Sequence, residues 1–140
     1  MRSVLIALAA LALAAPLGAQ EVNDMAAMMN SMGGGGLKGN KLAKAIAKAA
    51  ANPLGSNENP VRADGPTGQR AYLSKLRCAD GTAPAFQRRG NVGPGIYGYI
   101  VDAYEVNCGA AETVVHMDMY HRHAETVAVP GFTMAVEPTL

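Results

Sequence analysis

The chain has 140 residues, 12 of them basic and 11 acidic, for a formal charge of +1. One of those cations, Arg2, falls in an N-terminal apolar leader, so the rest of the chain balances at 11 against 11. A neutral chain of this size lacks the basic excess of a nucleic-acid binder and supports one domain with a modest core.

Residues 1–19 have the layout of an export signal: Arg2, an unbroken apolar run from Val4 to Ala15, then Pro16-Leu17-Gly18-Ala19, with cleavage expected after Ala19. The run is short for a bilayer span, and no Cys lies at the cleavage region to take a lipid anchor. The mature protein is therefore expected to be soluble in the periplasm or outside the cell.

Residues 20–55 read as a low-complexity arm, flexible or partly helical, outside the packed domain. Met25, Met28, Met29 and Met32 fall on one face of a short helix capped by Asn23 or Asp24. Gly33 to Gly36 end it, because four glycines cost too much backbone entropy. Leu37 to Ala51 is rich in Ala and Lys and has high helix propensity, with Lys38, Lys41, Lys44 and Lys48 clustered beside Leu42 and Ile46. Such a segment is either a solvated helical linker or a weak contact with an anionic membrane surface. Pro53 and Gly55 terminate it.

Residues 56–140 carry the patterned part of the chain. Asn57, Asn59, Pro60, Asp64, Gly65 and Pro66 make a turn-rich lead-in. Thr67 is expected to cap a helix running to about Arg77, with Tyr72, Leu73 and Leu76 as its apolar face. A short strand over Ala85–Arg88 and a glycine-rich loop over Gly90–Gly98 follow the Asp80-Gly81 turn. Tyr97–Cys108 and Glu112–His121 then alternate on either side of Cys108-Gly109-Ala110-Ala111, the signature of a β-hairpin. The first of these strands is apolar on both faces and reads as central; the second should turn Val115, Met117 and Met119 inward. Val127–Val129 and Phe132–Val136 flank Pro130-Gly131 and add one or two short strands. The expected fold is α+β, one helix packed on a small antiparallel sheet built on the hairpin. Cys78 and Cys108 are the two cysteines, and in an exported chain they are expected to form a disulfide.

The stretches NPVRADGPTGQRAYLSKLRCADG, GNVGPGIYGYIVDAYEVNC, MDMYH and AVPGF together resemble a group of small exported bacterial proteins without an assigned activity. The resemblance covers Asn59 to about Phe132. It implies an exported, disulfide-bearing domain and brings no chemistry with it.

Three constellations are candidates for function. Arg88, Arg89, Gly93, Gly95 and Tyr97 belong to or flank the glycine-rich loop, whose backbone N–H groups are placed to cradle an anion. The loop is neither a P-loop nor a dinucleotide fingerprint, and tight turns account for its glycines equally well. His116, Met117, Met119, His121 and His123 form the second; in a continued strand the last four share a face, and thioether with imidazole is a ligand set for copper or, through the histidines, zinc. The methionines equally fill gaps in a small core. His116 with Asp118 is a possible acid–base pair, but no nucleophile lies near it, which argues against an enzyme. Asp102 interrupts an apolar strand and needs a cation, with Arg77 and Arg88 as candidates. The expectation is a non-enzymatic binding or interaction module for an unknown protein or small ligand, without a cofactor; the alternative is a periplasmic copper or zinc carrier.

Overall fold

The computed structural model describes residues 35–136; the expected export signal and the methionine stripe lie outside them. In chain order the described residues form α1 (Gly39–Ala49), β1 (Val61–Arg62), α2 (Gly65–Lys75), β2 (Leu76–Arg77), β3 (Ala85–Pro94), β4 (Ile100–Cys108), β5 (Ala111–Asp118) and β6 (Thr133–Met134). One sheet has the order β1-β5-β4-β3, and β2 pairs with β6 in a second. The chain is α+β, organised on the β4–β5 hairpin. The hairpin register runs from Cys108↔Ala111 to Val101↔Asp118, closed by the Gly109-Ala110 turn. Because β1 joins β5 in parallel, the main sheet is mixed, where the pattern pointed to an antiparallel one.

β4 is central, and Ile100 to Tyr104 are all buried, as its two-sided apolar pattern requires. On β5 the alternation holds: Val115 and Met117 are buried while Val114 is exposed. These residues meet Val61, Tyr72, Leu73, Leu76 and Val129 in one core. The Tyr72 hydroxyl donates to the Val127 carbonyl at 2.9 Å and accepts the Val129 N–H at 3.0 Å, which pins the returning chain to α2 without a strand at 127–129.

Local pattern misplaces three boundaries. α2 begins at Gly65, with Asp64 at the N-cap and Pro66 in the first turn, and it ends at Lys75 because Leu76 and Arg77 pair with Met134 and Thr133. β3 is longer than expected and absorbs much of the glycine-rich stretch, passing two register shifts on its way to Pro94. Gly93 permits the second of them, since its φ of 96° lies where L side chains are disfavoured. β5, by contrast, stops at Asp118, three residues early. There the Asp118 carbonyl accepts the Ala63 N–H at 3.1 Å and the Met119 N–H donates to the Ile100 carbonyl at 3.0 Å. The Met119 carbonyl then accepts the Gly65 N–H at 2.6 Å, and the chain leaves the sheet.

The segment expected to be an arm touches the domain at both ends. The Leu37 N–H donates to the Tyr97 carbonyl at 2.8 Å, and a Cβ at Gly36 would overlap the Tyr99 ring. At the other end the Gly55 carbonyl accepts the His116 N–H at 2.8 Å, and Leu54 packs on the core.

Cys78 and Cys108 form the disulfide, joining the end of the α2–β2 unit to the end of β4 across 30 residues of sequence. A loop of that length restricts the unfolded chain by about 3–4 kcal/mol on the chain-entropy estimate. The Cys78→Ser/Cys108→Ser double variant is therefore expected to lose that much unfolding free energy, read as a lower urea midpoint, with an m-value equal to or above the wild type's because its unfolded chain is less compact.

Asp102, fully buried on β4, takes a bidentate pair from Arg88, with Nε at 2.8 Å and a terminal nitrogen at 2.6 Å. Removing the guanidinium would strand a buried carboxylate. Arg88→Ala should destabilise the fold by about 3 kcal/mol, whereas Arg88→Ala with Asp102→Asn should recover part of that loss in the same unfolding assay.

Candidate functional site

The glycine-rich region does not form a cradle. Arg88 is committed to Asp102, and Arg89 holds Glu105 at 3.0 Å and Glu112 at 2.5 Å, so both guanidiniums are neutralised on the sheet. Gly93 lies within β3, Gly95 closes a tight turn through its N–H to the Tyr99 carbonyl at 2.7 Å, and Tyr97 is buried. The five residues of that candidate ligand site do not converge.

The His/Met set is also dispersed, because β5 ends before its second half. Met117 is core, Met119 is half-buried outside the strand, and His116 turns its Nδ1 to within 3.2 Å of the Gly55 carbonyl. The His121 and His123 rings lie edge to face, with centroids 6.3 Å apart. Among the described residues no three His, Cys, Asp or Glu side chains are gathered to hold a metal ion. His116 and Asp118 are not a working pair either: Asp118 is fully buried, its Oδ1 accepting the Tyr120 N–H at 3.1 Å.

What the early end of β5 creates is a cleft. Met119 to Arg122, released from the sheet, runs between the starts of the two helices. Leu37, Lys38, Gly39 and Leu42 of the α1 end form one wall, and Asp64 and Gly65 of the α2 end form another. Tyr99, Tyr120, His121 and Arg122 complete a space of about 720 Å³, within the range of small-ligand sites. The α2 end is held by the Gly65–Met119 hydrogen bond and by an isolated bridge between Asp64 and Tyr120. The α1 end is held by the Leu37–Tyr97 bond, and no side chain caps its first turn.

No protein-family model, curated protein or solved structure matches this chain. Its chemistry therefore rests on the cleft itself. Lys38 and Arg122 supply positive charge at the rim, the uncapped first turn of α1 adds partial positive charge from its N–H groups, and Asp64 brings one carboxylate. Leu37, Leu42, Tyr99 and Tyr120 supply an apolar and aromatic surface. No serine, threonine or cysteine is among the residues that line the space.

Behind the cleft lies a buried polar group of residues. His121 is only 7% exposed and sits edge-on to Tyr97, at 5.5 Å between centroids, and to Tyr99, at 6.2 Å. Burial lowers its pKa, and the Arg62 and His123 charges lower it further, so the ring is neutral at neutral pH. Asp118 moves the opposite way for the same dominant reason. Burial pushes its carboxyl up to about 7, against the Tyr120 and His121 N–H groups and Arg62, which favour the ionised form. Neither Asp118 Oδ2 nor His121 Nδ1 has a hydrogen-bond partner among the described residues. Arg62 leans instead to Glu125, 3.6 Å away, which also faces His123 Nε2 at 3.5 Å.

Sequence pattern missed Tyr120 and Arg122 as cleft-lining residues, since a strand continued past Asp118 would have left both on its polar face with His116 and Asp118. Asp64-Gly65-Pro66, a good helix start, was the available signal for one wall.

A carboxyl that titrates near 7 in the fold and near 3.8 when unfolded keeps its proton only in the native state. Its contribution to stability is complete below about pH 4 and is lost as pH rises through about 7. His121, with its lowered pKa, contributes with the opposite sign, so the two must be separated. Asp118→Asn should remove the Asp118 term: the variant gains on the wild type as pH rises from 4 to 8, by up to about 4 kcal/mol in urea unfolding.

Proposed function

We propose that the protein is an exported, non-enzymatic binding module that captures a small amphipathic anion in the cleft between the starts of α1 and α2. The observation that carries this reading is the convergence of Lys38 and Arg122 with Tyr99 and Tyr120 around one space. A carboxylate or phosphate would meet the two cations and the N-terminus of α1, and its apolar body would lie on the tyrosines and leucines. The periplasm or the cell exterior as its location is supported by the N-terminal leader and by the disulfide, which is consistent with an oxidising compartment. Among the described residues no helix is long and apolar enough to cross a membrane.

The test is calorimetric titration with a panel of alkyl and aryl carboxylates and phosphates beside their neutral amides. The anions should bind and the amides should not. Arg122→Ala should weaken the best ligand by about 10- to 100-fold, the value of a charge-assisted hydrogen bond. Tyr120→Ala should weaken long-bodied ligands more than short ones, and Arg70→Ala, on the exposed side of α2, should change nothing. Equal affinity for acids and amides, or no binding across the panel, would reject the reading.

A further inference from the structure

α1 presents a second surface that the cleft does not use. Its half-buried or buried positions are Leu42, Ala45, Ile46 and Ala49, which face the domain. Lys41, Lys44 and Lys48 are exposed and follow one another at i, i+3 and i+7, so they form one stripe along the helix. The helix contains no acidic residue. Among the described residues none of these lysines is in an ion pair, whereas Arg62, Arg88 and Arg89 all are. Those three arginines are spent on fixed carboxylates, whereas Lys41, Lys44 and Lys48 are left to the solvent.

Beside the stripe lies a groove of about 490 Å³ lined by Ala45, Lys48, Ala49, Asn52, Glu58 and Ile96. Ile96, at the tip of the β3–β4 turn, is 39% exposed there. Glu58 is the one carboxylate on this rim. Cations in a row, flanked by an exposed aliphatic side chain and small alanines, match a surface whose negative charge is dense and laterally diffuse and whose interior is apolar. Nucleic acid is a poorer fit, because the stripe has neither arginine forks nor aromatic rings for base stacking.

We propose that the Lys41–Lys44–Lys48 stripe of α1, with Ile96 beside it, docks the exported protein on an anionic phospholipid bilayer. The contact is electrostatic and reversible. Each lysine near such a surface contributes about a fivefold gain in partitioning, so the three together supply roughly a hundredfold.

Co-sedimentation of the intact exported chain with vesicles tests this, comparing pure phosphatidylcholine with a three-to-one mixture containing phosphatidylglycerol, at low and raised salt. Binding is expected only with the anionic vesicles, and it should collapse as salt rises. Lys41→Gln/Lys44→Gln/Lys48→Gln should lose roughly a hundredfold in partition coefficient while its helical circular dichroism stays unchanged, since glutamine is a comparable helix former. Arg70→Gln, a charge removed elsewhere, should bind as the wild type does. Indifference to phosphatidylglycerol, absence of vesicle binding, or full binding by the triple variant would overturn the proposal. Tyr120→Ala separates this surface from the cleft: it should keep vesicle binding intact, and its loss there would assign the membrane contact to the cleft.

Discussion

The structure turns on the backbone junction at Asp118 and Met119. Within two residues the chain bonds to Ala63 after β1, to Ile100 at the start of β4 and to Gly65 at the start of α2. A strand can continue only while its N–H and C=O groups have neighbouring strands to meet. Here those groups are claimed by three different elements, so β5 ends and the chain turns outward. The placing of Tyr120, His121 and Arg122 along the cleft follows from that exit. Burying the Asp118 side chain at the junction has an electrostatic consequence, because a carboxyl with one oxygen unpartnered is held more easily with its proton than without it.

Charge is partitioned by chemistry across the molecule. Arginine occupies the places where a planar fork can grip a carboxylate, as Arg88 does at Asp102 and Arg89 at Glu105 and Glu112. Lysine occupies α1, where nothing fixed faces it. A chain of nearly balanced formal charge thus carries, among the described residues, a row of unpaired lysines along one helix. The disulfide works on a different link of the same scaffold. It ties the α2–β2 unit to the far end of β4, and so holds one side of a core that is small for its chain length.

Much of this was legible in the residues themselves. Alternation over Tyr97–His121 gave the hairpin and its inward face through Met117, because side-chain direction has period two whatever the neighbours do. Two cysteines left one pairing, and an Asp in an apolar strand demanded an arginine. The positions of Arg89 and Tyr97 were not legible. Arg89 depends on which residues lie across the sheet, and the bulges of β3 shift that register by amounts that no local pattern encodes; Tyr97 is buried in the turn between β3 and β4 beside His121, which a distant segment brings there.

By itself the sequence determined the α+β class, the disulfide, the hairpin and the lysine row on α1, because each follows from periodicity or from residue chemistry within a few positions. Only the tertiary structure decided where β5 stops, which cations stay free, and that the starts of two helices meet over Tyr120 and Arg122. Those outcomes depend on hydrogen bonds and ion pairs between segments far apart in the chain, and competition for a backbone group is settled only when all the competitors are in place.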